Sequence, residues 1–329
     1  MEERVKWIDV YKGIAISLVI VGHCPIPQSL YNFIYSFHLV AFFFIAGYTF
    51  KLRDGESFWT FAKKKAKRLV IPYFFFGTMW MITNWVIKIS HHTFNASAKS
   101  ILNDVYCLMT ASGYHDVSGP AWFLFALFTA SLIFWGIAKY QERMKPVLVW
   151  GGVMAMFIVG YAFSGKAYAP FQLTQAFTIM PFMWVGHLMK RFKMPEMKWW
   201  QSLILSVVAF AALFMLAQHD RAVNLVSNTL MYNPVRFFAC GIIGIMALVL
   251  LSLSIKCKLS SVLAYLGVES MTLMGIHQEI RVLSGYLIQS FIYLSPVELL
   301  IVNLISIILL SVPIILFLNK FLPFFVGKE

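Results

Sequence analysis

A chain of 329 residues with 60% hydrophobic and only 12% charged side chains cannot cover itself with water-seeking groups, so a soluble globular protein is excluded. A net charge of +13 would point to nucleic acid in a soluble protein, but the placement of these charges assigns them to membrane topology instead. Apolar runs recur along the whole chain, which reads as one all-α polytopic domain over 1–329 with no tandem repeat and no appended soluble domain.

A spanning helix needs roughly 20 apolar residues. Ten segments meet this in chain order: about 8–24, 33–50, 70–90, 120–138, 147–163, 173–189, 199–217, 235–254, 268–290 and 297–319. Trp80, Trp85, Trp150, Trp199 and Trp200 fall near the ends of these segments, as an interfacial belt requires. With the N-terminus inside, 21 of the 27 Lys and Arg lie in inner segments, among them Arg4, Lys12, the run KKKAKR at 63–68, Lys193 and Lys328. Lys88, Lys99, Lys166, Arg221, Arg236 and Arg281 are left outside. Both termini are therefore expected in the cytoplasm. The basic run also suits anionic lipid or an anionic cytosolic ligand.

The first segment, DVYKGIAISLVIVGH at 9–23, places Lys12 and His23 at the two ends of an apolar stretch. Eleven residues at 100° each bring them to within about 20° of three full turns, so they share one face about 16 Å apart along the axis. Pro25 disfavours helix at Cys24, so the helix is expected to stop near His23. A lysine at the cytoplasmic mouth and a histidine deep in the bilayer suit a long thin ligand with an anionic head. Coenzyme A has that shape: a phosphate-rich nucleotide for Lys12 and a slender arm whose thioester reaches His23. Neutral imidazole is a general base near pH 7. The alternative is that Lys12 snorkels and His23 bonds a neighbouring helix. Asp9 either orients Lys12 from one turn away or favours the helix N-terminus.

The longest outer loop, about 91–119, is polar and expected to be partly folded. The four cysteines lack metal-ligand spacing; Cys24 and Cys107 are able to pair across the outer face, but free thiols are the simpler reading. The sequence has no H-E-x-x-H, no phosphate-cradling glycine loop and no metal cluster.

Four stretches carry a family resemblance in order: DVYKGIAISLVIVGH (9–23), YSFHLVAFFFIAGY (35–48), KKKAKRLVIPYFF (63–75) and GPAWFLFALF (119–128). They resemble the acyltransferase family 3 membrane proteins, and among them the small standalone members grouped with fucose 4-O-acetylases. The family hallmark is Arg or Lys, ten residues, then His, which Lys12 and His23 match. PFMWVGHLMKR (181–191), NPVRFFACGIIGI (233–245) and LGVESMTLMGIHQEI (266–280) also fit, so the resemblance covers nearly the whole chain.

The resemblance implies an O-acetyltransferase of the bacterial inner membrane. It moves an acyl group, usually acetyl, from cytoplasmic acetyl-CoA or another acyl-CoA to a hydroxyl of an envelope or lipid-linked saccharide, without a metal. His23 is then the general base, or first receives the acyl group itself. His38 supports His23, lines the cavity or serves structure. Arg68 contacts coenzyme A phosphate or adds plain inside-positive charge, with Tyr73 beside it. Trp122 stacks on a sugar or is an interfacial tryptophan. Arg236, with Asn233, is a candidate for an anionic or hydroxylated acceptor. His277 lines the cavity or is structural.

The expected partners are acyl-CoA, the saccharide acceptor and the bilayer, with a homodimer left open and nucleic acid excluded. The rival reading is a transporter or exporter of a glycan or small metabolite, since intramembrane histidines serve such proteins too. No paired interrupted segments in equivalent halves support it.

Overall fold

The computed structural model describes residues 6–112, 115–166, 169–192 and 197–328; Arg4 and Lys193 of the charge tally lie outside the described residues. Its helices are α1 (Lys6–Gly22), α2 (Gln28–Tyr35), α3 (His38–Tyr48), α4 (Phe58–Ser90), α5 (Ala98–Thr110), α6 (His115–Ser118), α7 (Trp122–Tyr140), α8 (Pro146–Ala162), α9 (Leu173–Met189), α10 (Trp199–Ala217), α11 (Pro234–Ser254), α12 (Leu259–Val268), α13 (Ser270–Gln289) and α14 (Pro296–Phe321). Among the described residues no β-strand forms.

Every one of the ten expected segments is helical, and α1 stops at Gly22, just before His23. Three details differ. The segment expected at 33–50 starts earlier and breaks at Ser36 and Phe37, where Phe37 leaves helical geometry and its buried ring fills the space beside Gly244 of α11. Helix α4 begins twelve residues before the expected 70. Ser57 caps it by accepting from the Thr60 amide at 3.2 Å, and the basic run behind the cap is made of strong helix formers. The outer loop is partly folded, as expected: helix α5 occupies it, capped by Ser97 and closed by Ala111 at φ +48°. Helix α12 lies where no element was expected.

Six helical stretches are long and apolar enough to cross a membrane: Gln28–Tyr48 taken across its break, Phe58–Ser90, Gly119–Arg143, Trp199–Ala217, Pro234–Ser254 and Pro296–Phe321. The pair α12 and α13, bent by 84°, makes a seventh if counted as one span. The chain is therefore a helical membrane protein, but length and hydropathy alone do not carry the count of ten. Helices α1, α8 and α9 have only 17 residues each.

Two compact units divide the chain. The first comprises Met1–Phe50, Phe182–Asn224 and Leu230–Ser311. Membrane helices associate by close packing rather than by water exclusion, and small residues permit it. Here the approach is reciprocal. A Cβ on Gly13 of α1 would strike the Leu263 carbonyl of α12, and one on Gly267 of α12 would strike the Asp9 carbonyl of α1. The same device joins α3 to the end of α9: Gly47 faces the Met183 carbonyl and Gly186 the Phe44 carbonyl. Tyr11, Ile16 and Val19 of α1 are wholly buried between these neighbours, so α1 is held along its length.

The second unit comprises Lys51–Pro181, Leu225–Thr229 and Val312–Glu329. Tyr73 of α4 donates to the Leu108 carbonyl of α5 at 2.8 Å, and the Trp85 indole donates to Asp104 at 2.8 Å, fastening α5 onto α4. The short segment at 225–229 is held by a buried polar network. Asn228 Nδ2 donates to the Gly160 carbonyl (2.8 Å), its Oδ1 accepts from Thr178 Oγ1 (3.0 Å), and Gln175 Nε2 donates to the Val226 carbonyl (2.9 Å).

Candidate active site

In the first unit α1 presents Lys12 and His23. Asp9 Oδ1 lies 3.7 Å from Lys12 Nζ, one turn away, with the carboxylate side chain nearly enclosed and the ammonium partly open. Asp9 thus steers Lys12, one of its two expected roles.

His23 follows the last turn of α1. Its Nδ1 sits 2.8 Å from the Val19 carbonyl oxygen. A carbonyl only accepts, so Nδ1 carries the proton of a neutral ring and Nε2 keeps its lone pair. His277 of α13 repeats the arrangement, with Nδ1 2.9 Å from the Leu273 carbonyl. The lone pair of His277 Nε2 then lies 3.4 Å from His23 Nδ1–H, and the ring centroids are 5.0 Å apart. The two rings form a directed pair: His277 Nε2 faces His23 Nδ1–H, and the other ring nitrogen of His23, Nε2, keeps its lone pair.

The return of the chain after Pro25 and Pro27 brings α2 against this end of α1. Tyr35 donates to the Gly22 carbonyl at 3.3 Å and stacks on Tyr31 with centroids 3.8 Å apart. Its ring lies between two imidazoles, 6.2 Å from His23 and 4.7 Å from His38. His38 is fully buried at the start of α3. Its Nδ1 is 2.7 Å from the Ile34 carbonyl, and Nε2 is buried without a hydrogen-bond partner.

Arg281 lies one turn past His277 on α13. Half-buried, it donates from Nε to Gln278 Oε1 at 2.7 Å. Its charge acts on His23, His277, Cys24 and Tyr35. Neither Tyr35 nor Arg281 received a role from the sequence. The signal for Arg281 was present, because residues four apart share a helix face and His277 had been singled out.

Arg236 sits elsewhere in the same unit, at the start of α11, where Asn233 caps the helix by accepting from the Val235 and Arg236 amides. Its guanidinium donates to the His219 carbonyl at 2.6 Å and to Asp220 Oδ2 at 3.3 Å. Asp220 also accepts from the amides of Arg221, Tyr232 and Asn233. Burial pushes the Asp220 carboxyl up, but these three amides and the Arg236 charge outweigh it and hold the group below the ordinary carboxylate value. Arg236 thus fastens the segment between α10 and α11.

The second unit holds the remaining candidates. Arg68 is exposed on the basic stretch of α4. Tyr73 is fully buried, with its hydroxyl spent on Leu108. Trp122, at the start of α7, is 4% exposed and meets Phe123 edge to face. The four cysteines are free thiols. Among the described residues no group of three or more His, Cys, Asp and Glu side chains comes together as a metal cage.

A comparison with protein-family models matches residues 5–320 to the family 3 acyltransferase domain. No curated protein and no solved structure gives a match. The match spans both units and includes both ends of α1 and the His23–His277 pair. This chain belongs to acyltransferase family 3, a family of membrane acyltransferases.

Proposed function

We propose that the protein is an O-acetyltransferase that takes an acetyl group from acetyl-CoA at the cytoplasmic face and delivers it to a hydroxyl of an envelope or lipid-linked carbohydrate. The observation that carries this reading is the state of His23: Nδ1–H is held by Val19 and backed by His277, so Nε2 is a prepared base. The donor and acceptor classes rest on the resemblance of the Lys12–His23 motif and the motifs that follow it.

The acceptor hydroxyl oxygen attacks the thioester carbonyl carbon while its proton passes to His23 Nε2. The C–S bond then breaks, and the departing thiolate takes that proton back as free coenzyme A. His277 accepts from Nδ1–H throughout and steadies the imidazolium that forms, which makes it a positioning residue. Lys12, steered by Asp9, contacts donor phosphate about 16 Å away along α1. Arg236 is left out of this reading, because the His219 carbonyl and Asp220 engage its guanidinium. His38 completes the histidine cluster.

This reading takes the membrane to be the bacterial inner membrane and the chain to cross it ten times with both termini in the cytoplasm. The six long spans, the bent pair α12–α13 and the three 17-residue helices make ten. A 17-residue helix rises about 25 Å, enough where its ends are covered by protein.

The test is release of free coenzyme A from acetyl-CoA by purified protein in nanodiscs, with pooled envelope saccharides, for wild type and His23→Ala. Saccharide-stimulated release that disappears in the variant is expected. Full release by a folded His23→Ala protein would overturn the assignment of the base.

A further inference from the structure

Arg281 has no carboxylate partner among the described residues; Gln278 Oε1 satisfies only its Nε. Arg236 in the same unit has Asp220. A half-buried guanidinium in a membrane protein is costly unless an anion meets it.

Its position along the fold is specific. Gly267, just before α13, packs against Asp9 and Gly13 of α1, and His277 packs against His23. Arg281 lies one turn further along α13 than His277, which meets His23 at 3.4 Å. A cation thus stands close to His23, while Lys12 lies about 16 Å away along α1. The Arg281 charge also reaches Tyr35 and Cys24, which face the same end of α1.

We propose that Arg281 is the anion anchor of the acceptor site, so that the acceptor saccharide carries a phosphate or a carboxylate within about one sugar ring of the hydroxyl that is acylated. This rests on the acyltransferase reading above and deepens it, from a carbohydrate hydroxyl in general to an anionic carbohydrate. Lys12 is occupied by the donor, and Arg236 is spent on Asp220 and His219. Arg281 is left to meet the acceptor's charge.

The test measures binding without any donor. Wild type, R281Q, R281K and H23A in nanodiscs are titrated with three glycosides of one alkyl chain: a neutral glucoside, the glucuronide and the glucoside 6-phosphate. Wild type is expected to bind at least one anionic probe about tenfold more tightly than the neutral one, the worth of one charge-assisted contact. Whether the glucuronide or the phosphate gains more identifies the source of the anion. The preference should vanish in R281Q, persist largely in R281K and persist fully in H23A. If R281Q does not give monodisperse protein, R281M takes its place.

Equal affinity of wild type for all three probes would overturn the proposal, as would a preference that survives the loss of Arg281. A third overturning result is an equal loss of acyl transfer to neutral and anionic acceptors in R281Q, since that would place the charge on the reacting carbonyl oxygen. Failure of the acyltransferase reading shows separately, as absence of coenzyme A release with every acyl donor and acceptor.

Discussion

Two buried polar clusters, one in each unit, make an instructive contrast. Around Asn228 every polar atom is used: its amide donates to Leu225, its carbonyl accepts from Gly165, and its side chain bonds Gly160 and Thr178. Its φ of +49° is a conformation asparagine tolerates better than most residues. A closed network of this kind has nothing left to offer a ligand; it holds the 225–229 segment in place. Around His23 each of the three imidazoles is held at Nδ1 by a backbone carbonyl at 2.7–2.9 Å, yet not all the ring nitrogens left over are engaged. His23 Nε2 is free, His38 Nε2 is buried without a partner, and Arg281 has no counter-ion among the described residues. Burying unmet polar groups destabilises a fold, and the unmet His38 Nε2 together with the Arg281 charge is consistent with the ligand site proposed at this end of α1.

The contrast can be broken or sharpened by mutation. The largest effect is expected at His23. His23→Ala should lower acyl transfer by about 10²–10⁴-fold, the usual range for a general base, with the elution profile of folded protein preserved. Asn228→Ala should behave in the opposite sense. It strips partners from the Gly160 carbonyl and the Thr178 hydroxyl and should cost about 2–4 kcal/mol, read as a lower thermal midpoint, with turnover per folded molecule unchanged. A specific loss of turnover in Asn228→Ala would erase the distinction between the two clusters.

A smaller effect is expected at His277. Removing the acceptor behind His23 with His277→Ala should lower kcat about tenfold, the value of one hydrogen bond made stronger as His23 becomes charged. His277→Gln offers an amide oxygen near the same place and should recover part of that loss. If both variants are equally impaired, His277 serves packing alone.

The smallest effect concerns Asp220, outside the membrane-spanning segments. Its folded carboxyl titrates below the ordinary value, so its contribution is fully present above the unfolded pKa of about 4 and is lost as pH falls through the lower folded value. Asp220→Asn should therefore lower the thermal midpoint most near neutrality and not at all in strong acid. An effect that grows as pH falls would contradict the Arg236–Asp220 fastening.

Much of the α1 site was legible from residue spacing. Lys12 and His23 share a face because eleven residues nearly close three turns, and Pro25 stops the helix where the imidazole is placed. Asp9 at i−3 of Lys12 was legible for the same reason. The pairing of His23 with His277 was not, because the two are 254 residues apart and no local period connects them. Arg236 looked like a ligand for an acceptor by its place at a helix start, but Asp220, sixteen residues earlier, engages it. Arg281 looked like one more outer charge.

The sequence by itself determined the solvent of this protein, its helical class and its family. Each follows from quantities local in the chain: apolar run length, the distribution of lysine and arginine, and short motifs in order. The tertiary structure decided which polar groups are satisfied and which are left open. It broke the 33–50 segment at Phe37, because that ring fills the space beside Gly244 of α11. It also set α13 beside α1, because Gly13 and Gly267 let the α1 and α12 backbones touch. Helix contacts in a membrane are chosen by complementary surfaces far apart in the chain, and that choice places His277 and Arg281 at His23.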